Sequence, residues 1–412
     1  MTGGYPWQVG DALLAADLNA AIAGATVPVG GSIQAAIDAL PASGGTITLS
    51  PNTTYTLTST LNITKPNVTI TAPGWSTIIQ RGPGVGALHL ISGSPTATGF
   101  TVRNLTVDGN GSSVTGGLFE IATSGDGSCV EHCQVIRAGG QGHIALSGVG
   151  SRAESNHIVG LGSSTAGGYG IWAINHQKTF ILNNYITGTQ IDAIGFDGPG
   201  TQVIGNYVLN CQCNTDPGGQ IAQYSPGSYP GALIQGNHVG QGGGSISHGI
   251  ELNGSNVSVV GNAVINQKGN GIAVDGATGS GILVSGNMIL NNGQVPGAVG
   301  GIQIFGPLDN VTIVGNRISD TQATHTQAWG VWFNTGPFNN VLIADNEIIG
   351  NISGAISPPT GGTGYVFVNN LGAANAPGVP TINAANDAAA ASAGVTIGQT
   401  YRNGSAIMVR VA

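Results

Sequence analysis

Gly261-Asn262-Ala263-Val264 and Gly286-Asn287-Met288-Ile289 are two copies of one phrase: a small or turn-forming residue, Asn, any residue, then an aliphatic. Earlier copies read Ser155-Asn156-His157-Ile158, Asn183-Asn184-Tyr185-Ile186, Gly205-Asn206-Tyr207-Val208 and Gly236-Asn237-His238-Val239. Later ones read Gly315-Asn316-Arg317-Ile318 and Asp345-Asn346-Glu347-Ile348. The asparagines are 22 to 31 residues apart. A repeat of that length implies stacked units, none able to bury its apolar face alone. Uneven spacing places insertions at loops while the strands keep register. The recurring Asn reads as an internal ladder, each amide hydrogen-bonded to the next rung, and so as structure and not catalysis.

Composition agrees. Of 412 residues, 71 are Gly and only 7% are charged. A helical protein needs a charged surface, whereas short stacked strands need Gly, Asn, Ser and Thr at corners with positive φ. The formal net charge is −8, with ten basic residues scattered along the chain, which argues against nucleic acid as a partner. No apolar run approaches the roughly 20 residues needed to span a bilayer, so no membrane insertion is expected. Met1-Thr2-Gly3-Gly4-Tyr5-Pro6-Trp7 offers no charged and apolar leader, so no secretory signal is expected. The four cysteines fall in two close pairs, Cys129/Cys133 and Cys211/Cys213, which read as buried thiols. Cys129-Val-Glu-His132-Cys133 resembles half a metal site with no second half, so no metal or other cofactor is expected.

Three regions are expected: an arm with a short helix over 1–31, stacked coils over 32–372, and an Ala-rich linker with a hairpin over 373–412. Within the arm, 11–22 reads as the helix. Ser32 is placed to N-cap a second helix that puts Ile33, Ala36, Ile37 and Leu40 on one face. Strand-like segments follow, from Gly45-Thr-Ile-Thr-Leu49 onward. At the end, Asn403-Gly404 marks a hairpin turn.

A capped helix leading into Gly44-Gly45-Thr-Ile-Thr-Leu49, then strands parted by Pro and Gly turns, resembles the entry of the pectate-lyase-like right-handed parallel β-helix superfamily. The resemblance runs from about Ser32 to about Asn370 and implies an all-β, single-stranded solenoid whose N-terminal helix plugs the open core. It implies nothing about the reaction. The opening Pro6–Asn19 and closing Tyr401–Ser405 segments resemble the ends of phage or prophage tail proteins. They imply a virion or extracellular protein released by lysis, a homotrimer, and attachment to a tail.

Each Asn phrase is associated with an alternating segment such as Gly249-Ile250-Glu251-Leu252-Asn253 or Gly271-Ile272-Ala273-Val274-Asp275. Period 2 sends the aliphatics inward and Asp197, Glu251, Asp275, Gln303, Phe305 and Trp332 outward on one sheet, with Asp192 and His248 at its edge. Glu251 and Asp275, one rung and two residues apart, are separated by about 8 Å, within the roughly 6.5–9.5 Å of an inverting glycosidase pair. They are the expected general acid and base, in either order, with Asp197 orienting substrate. Trp329, Trp332 and Phe305 are expected to stack on sugars, with Gln303 and Lys268 also binding. Alternatively, such carboxylates cap turns, and such aromatics pack rungs or a second subunit.

A lyase would need a base and a cation, for which His248, Lys268, Arg137, Lys178 and His176 are available. The Asp-Pro-His-Asp phrase of β-helical alginate epimerases and the paired-Asp and Arg-Ile-Lys signatures of polygalacturonases are absent. The expected function is a tailspike-like depolymerase hydrolysing a bacterial surface or exopolysaccharide. The alternatives are β-elimination, C5-epimerisation, or a non-catalytic carbohydrate-binding or structural tail protein.

Overall fold

The structure is a computed structural model that describes residues 24–83, 85–111, 118–162, 168–173, 177–212, 218–224, 231–244, 247–275, 280–295, 300–359, 361–372, 384–393, 395, 400–403 and 406–411. The expected helix over 11–22, Cys213, His176 and the turn residue Gly404 lie outside them. Three parallel sheets of 14, 12 and 12 strands, here sheets one, two and three, wind around a single apolar core. Every third strand along the chain rejoins the same sheet, so the chain is a solenoid. The 14 strands of sheet one, at about 4.8 Å per rung, make a rod roughly 60 Å long.

The opening phrase forms the turn from sheet one to sheet two. Its first residue carries a positive φ: 55° at Ser155, 54° at Asn183, 65° at Gly261 and 55° at Asp345. That explains the choice of Gly, Asn, Asp or Ser, the side chains least opposed to left-handed backbone. The Asn that follows turns inward. From Asn156 through Asn184, Asn206, Asn237, Asn262, Asn287, Asn316 and Asn346 to Asn370, each backbone N–H donates to the next Oδ1 at 2.8–3.1 Å. Each Nδ2 donates to that same oxygen at 2.9–3.0 Å. Nδ2 also donates to a neighbouring carbonyl, as from Asn262 to Ile234 O at 2.9 Å. The expected ladder is present and runs one rung past the phrase, to Asn370.

A second polar ladder, unannounced by any phrase, lines the corner from sheet two to sheet three. Gln220 Nε2 donates to Gln267 Oε1 at 2.8 Å, and Gln267 N–H to Asn292 Oδ1 at 3.0 Å. Asn292 N–H then donates to Gln327 Oε1 at 3.1 Å, and Gln327 Nε2 to Asn351 Oδ1 at 2.6 Å. This corner is tight. A Cβ on Gly249, Gly271, Gly301 or Gly330 would lie 2.1–2.5 Å from the Val264, Ile289, Ile318 or Ile348 side chain. The glycine that opens each alternating segment is therefore a packing requirement, and it fixes the register of sheet three.

The helix Ile33–Ala39 forms with Ser32 as N-cap, its Oγ accepting from Ala35 N–H at 3.1 Å. Ile33, Ile37 and Leu40 join the core and Ala36 packs against it. The strand Gly24–Val27, in the region expected to be arm, pairs with Gly45–Leu49 and ends sheet one. Near the C-terminus the Ala-rich segment forms a helix, Asp387–Ser392, capped by Asn386, and Thr400–Asn403 pairs antiparallel with Ala406–Val409. Cys129 and Cys133 are buried free thiols, Cys211 is buried, and no group of three or more potential metal ligands occurs among the described residues.

Candidate functional site on sheet three

The register of sheet three lines up one outward column rung by rung: Trp172, Gly195, Ala222, Glu251, Ala273, Gln303 and Trp332. Glu251 is therefore flanked by residues with one methyl or less. Beside it, Asp275 pairs with Phe305. Glu251 and Asp275 stand one rung and two residues apart, as expected, and both are partly exposed.

Environment separates the carboxyls. Burial pushes Glu251 above the usual carboxylate range and the charge of Asp275 pushes it further, against hydrogen bonds from Asn253 Nδ2 and Gly219 N–H. Burial alone raises Asp275. Asp192, 1% exposed, is raised well above the ordinary Asp value by burial, with a smaller contribution from Glu251. Its Oδ2 accepts from Tyr224 Oη at 2.5 Å. Asp192 thus lies beneath Tyr224 and does not stand free at the sheet edge.

Asp197 departs from expectation. It is 2% exposed at the end of its strand, where Thr201 Oγ1 donates to its backbone carbonyl, so it does not project into the groove. Strict alternation fails there because the chain already turns toward sheet one.

His248 pairs in register with Gly219. Its Nδ1 accepts the Asn270 backbone N–H at 2.9 Å, and burial lowers its pKa to about 4, so the neutral ring carries its proton on Nε2. Asn270 also donates through Nδ2 to Gln303 Oε1, which leaves the Gln303 amide NH₂ as the donor end. Lys268 sits at the corner, its Nζ donating to Gly243 O at 3.3 Å. Arg137 is engaged elsewhere by Asp108, and Lys178 is exposed on a turn.

Aromatic rings bound the groove on both sides. Trp332 lies two rungs beyond Asp275, and Phe305, one rung beyond, is 40% exposed. Trp329 pairs with Gly354, where an added Cβ would lie 2.8 Å from the indole. On the other side stands a cluster the sequence reading passed over: Tyr169 and Trp172 centroids are 4.1 Å apart, and Trp172 and Tyr224 centroids 5.1 Å. Gly195 makes room for it, since a Cβ there would lie 2.8 Å from Trp172 and 3.2 Å from Tyr224. The signal was available, because Ile171 in and Trp172 out follow the alternation that selected Glu251.

Residues 222–371 match the family model described as a right handed beta helix region. No curated protein matches the chain by sequence. Among solved structures, the A-module of the Azotobacter vinelandii mannuronan C-5 epimerase AlgE4 has a TM-score of 0.63 at 18% identity, over 80% of this chain and 94% of that one. The Dettilon tailspike protein has a TM-score of 0.57 at 16% identity, covering 83% of this chain and 64% of its own. The tailspike of E. coli bacteriophage HK620, solved with a pentasaccharide, has a TM-score of 0.54 at 16% identity, over 78% and 63%. At such identities the likeness is one of fold. The chain has the fold of a right-handed parallel β-helix.

Proposed function

We propose that the groove on sheet three hydrolyses a glycosidic bond of a bacterial surface or exopolysaccharide, with Glu251 as general acid and Asp275 as general base. The observation that carries this reading is the pair itself: two partly exposed carboxyls one rung and two residues apart in register, both held above the usual range, with Glu251 raised further by Asp275. Glu251 keeps its proton and gives it to the leaving oxygen as the anomeric C–O bond breaks. A water in the gap adds to the anomeric carbon and loses its proton to Asp275. His248 Nε2–H and the Gln303 amide are donors for sugar hydroxyls. Tyr169, Trp172 and Tyr224 on one side, and Phe305, Trp329 and Trp332 on the other, are platforms for sugar rings. Asp192, raised by burial, accepts from Tyr224 Oη and holds that ring in place.

Elimination and epimerisation are less well supported. His248 Nδ1 is occupied as an acceptor and Nε2 bears hydrogen, so neither nitrogen is a ready base. Carrying the name of the epimerase over would need its Asp-Pro-His-Asp phrase, which is absent. The tailspike likeness supports a virion tail protein that meets polysaccharide outside the cell, and a trimer is proposed with that reading. Light scattering at the monomer mass would remove the trimer.

The test is to incubate the protein with a panel of bacterial polysaccharides and follow reducing ends together with the ultraviolet absorbance of unsaturated uronates. Reducing ends without absorbance are expected, and the first-formed anomer should be inverted. Both signals rising would make the protein a lyase. Binding without either signal would make it a carbohydrate-binding protein.

A further inference from the structure

We infer that the groove takes an uncharged glycan and rejects uronate-bearing, sialylated or phosphorylated chains. The inference rests on the groove being the polysaccharide site and adds the class of substrate. It follows from where the ten basic residues stand. Arg81, Arg103, Arg137, Arg152 and Arg317 are each ion-paired, with Glu120, Glu131, Asp108, Glu154 and Glu347. Lys65 Nζ is held by the carbonyls of Ile37, Asp38 and Leu40 around the N-terminal helix, and Arg402 and Arg410 belong to the C-terminal segment. Only Lys178 and Lys268 remain, both on turns bordering sheet three and neither on its outward columns.

Against this stands Asp275, the ionised member of the pair, with the protonated Glu251 beside it in the groove. An acidic polysaccharide brings a negative charge with every repeat and needs a cation or a donor-rich anion cradle at each. Here the central positions of the column hold Ala222, Glu251 and Ala273. Hydroxyls, by contrast, find His248 Nε2–H, the Gln303 amide and Asn253, and the apolar faces of sugar rings find the aromatic cluster.

The experiment uses an acidic polysaccharide and its carboxyl-reduced derivative, which keeps the linkages and removes the charge, beside naturally neutral polysaccharides. Binding is read by affinity electrophoresis and cleavage by reducing ends. The uncharged forms should bind at least roughly tenfold more tightly than the acidic parents, and binding should change less than about twofold between low and high salt. Tighter binding of an acidic parent, strengthening as salt is lowered, would overturn the inference; if reducing ends still appear, hydrolysis at this groove would stand. No binding to either class would overturn both.

Discussion

Sheets two and three are built on the same rungs, yet they use aromatic residues in opposite ways. On sheet two, His157, Tyr185, Tyr207 and His238 occupy successive rungs of one column. Tyr185 and Tyr207 lie 5.5 Å apart at 8°, and Tyr207 and His238 lie 4.4 Å apart at 6°. From Tyr185 through Tyr207 to His238 each ring face is covered by the next ring, while His157 meets Tyr185 edge-on at 5.0 Å and 85°. Trp75 reaches over from an earlier coil, tied by Nε1 to His132 O at 2.7 Å, to within 5.7 Å of His157. On sheet three the column is interrupted by Gly195 and Ala222, and the rings around the gap are tilted at 44° and 59°. An unbroken stack stabilises the rod, whereas a stack broken by small residues leaves a trough with rings at its walls and Glu251 in its floor.

The sharpest break in that comparison comes from charge. Glu251→Gln should lower turnover by roughly 10²–10⁴-fold, the range of a lost general acid, with circular dichroism and melting unchanged. An intact rate would move the chemistry off sheet three. The Asn ladder lies at the corner from sheet one to sheet two. Asn262→Ala strips partners from Asn237, Ile234 O and the Asn287 amide acceptor, and should cost about 3 kcal/mol in a denaturant titration.

Paired ring deletions sharpen the contrast. Trp172→Ala should weaken glycan binding roughly tenfold and change stability little, whereas Tyr207→Ala should cost about 1 kcal/mol of stability and leave turnover alone. The same response from both variants would erase the distinction between the faces.

The smallest expected effect is a slope with pH. Asp192 keeps its proton in the folded chain at pH values where the unfolded chain has lost it, so folding binds a proton in that window. Its contribution is fully present below the ordinary Asp pKa near 3.8 and is lost as pH rises through the raised folded value. The melting temperature should therefore fall as pH rises from about 4, and Asp192→Asn should flatten that fall.

The fold was legible because the Asn phrase joins two strict requirements, a left-handed turn residue and an amide that bonds both ways along the axis. The Gln220–Asn351 ladder was not, since Gln and Asn alternate irregularly and one coil is skipped. Alternation placed Glu251, Asp275, Gln303, Phe305 and Trp332 on one face, and the register keeps them there. It misplaced Asp197, because period 2 holds only while the strand lasts. Trp172 was legible by the same alternation, Ile171 in and Trp172 out; what no pattern of large residues advertises is the space that the missing side chain of Gly195 leaves for Trp172 and Tyr224.

The most direct test is a crystal structure of Glu251→Gln with a bound oligosaccharide from a polysaccharide the wild-type protein cleaves. The account predicts sugar density along sheet three, between Trp172 and Trp332, with a glycosidic oxygen at residue 251 and a water at Asp275. Density confined to sheet two, along Trp75, Tyr185 and the concavity of about 370 Å³ they share, would contradict it.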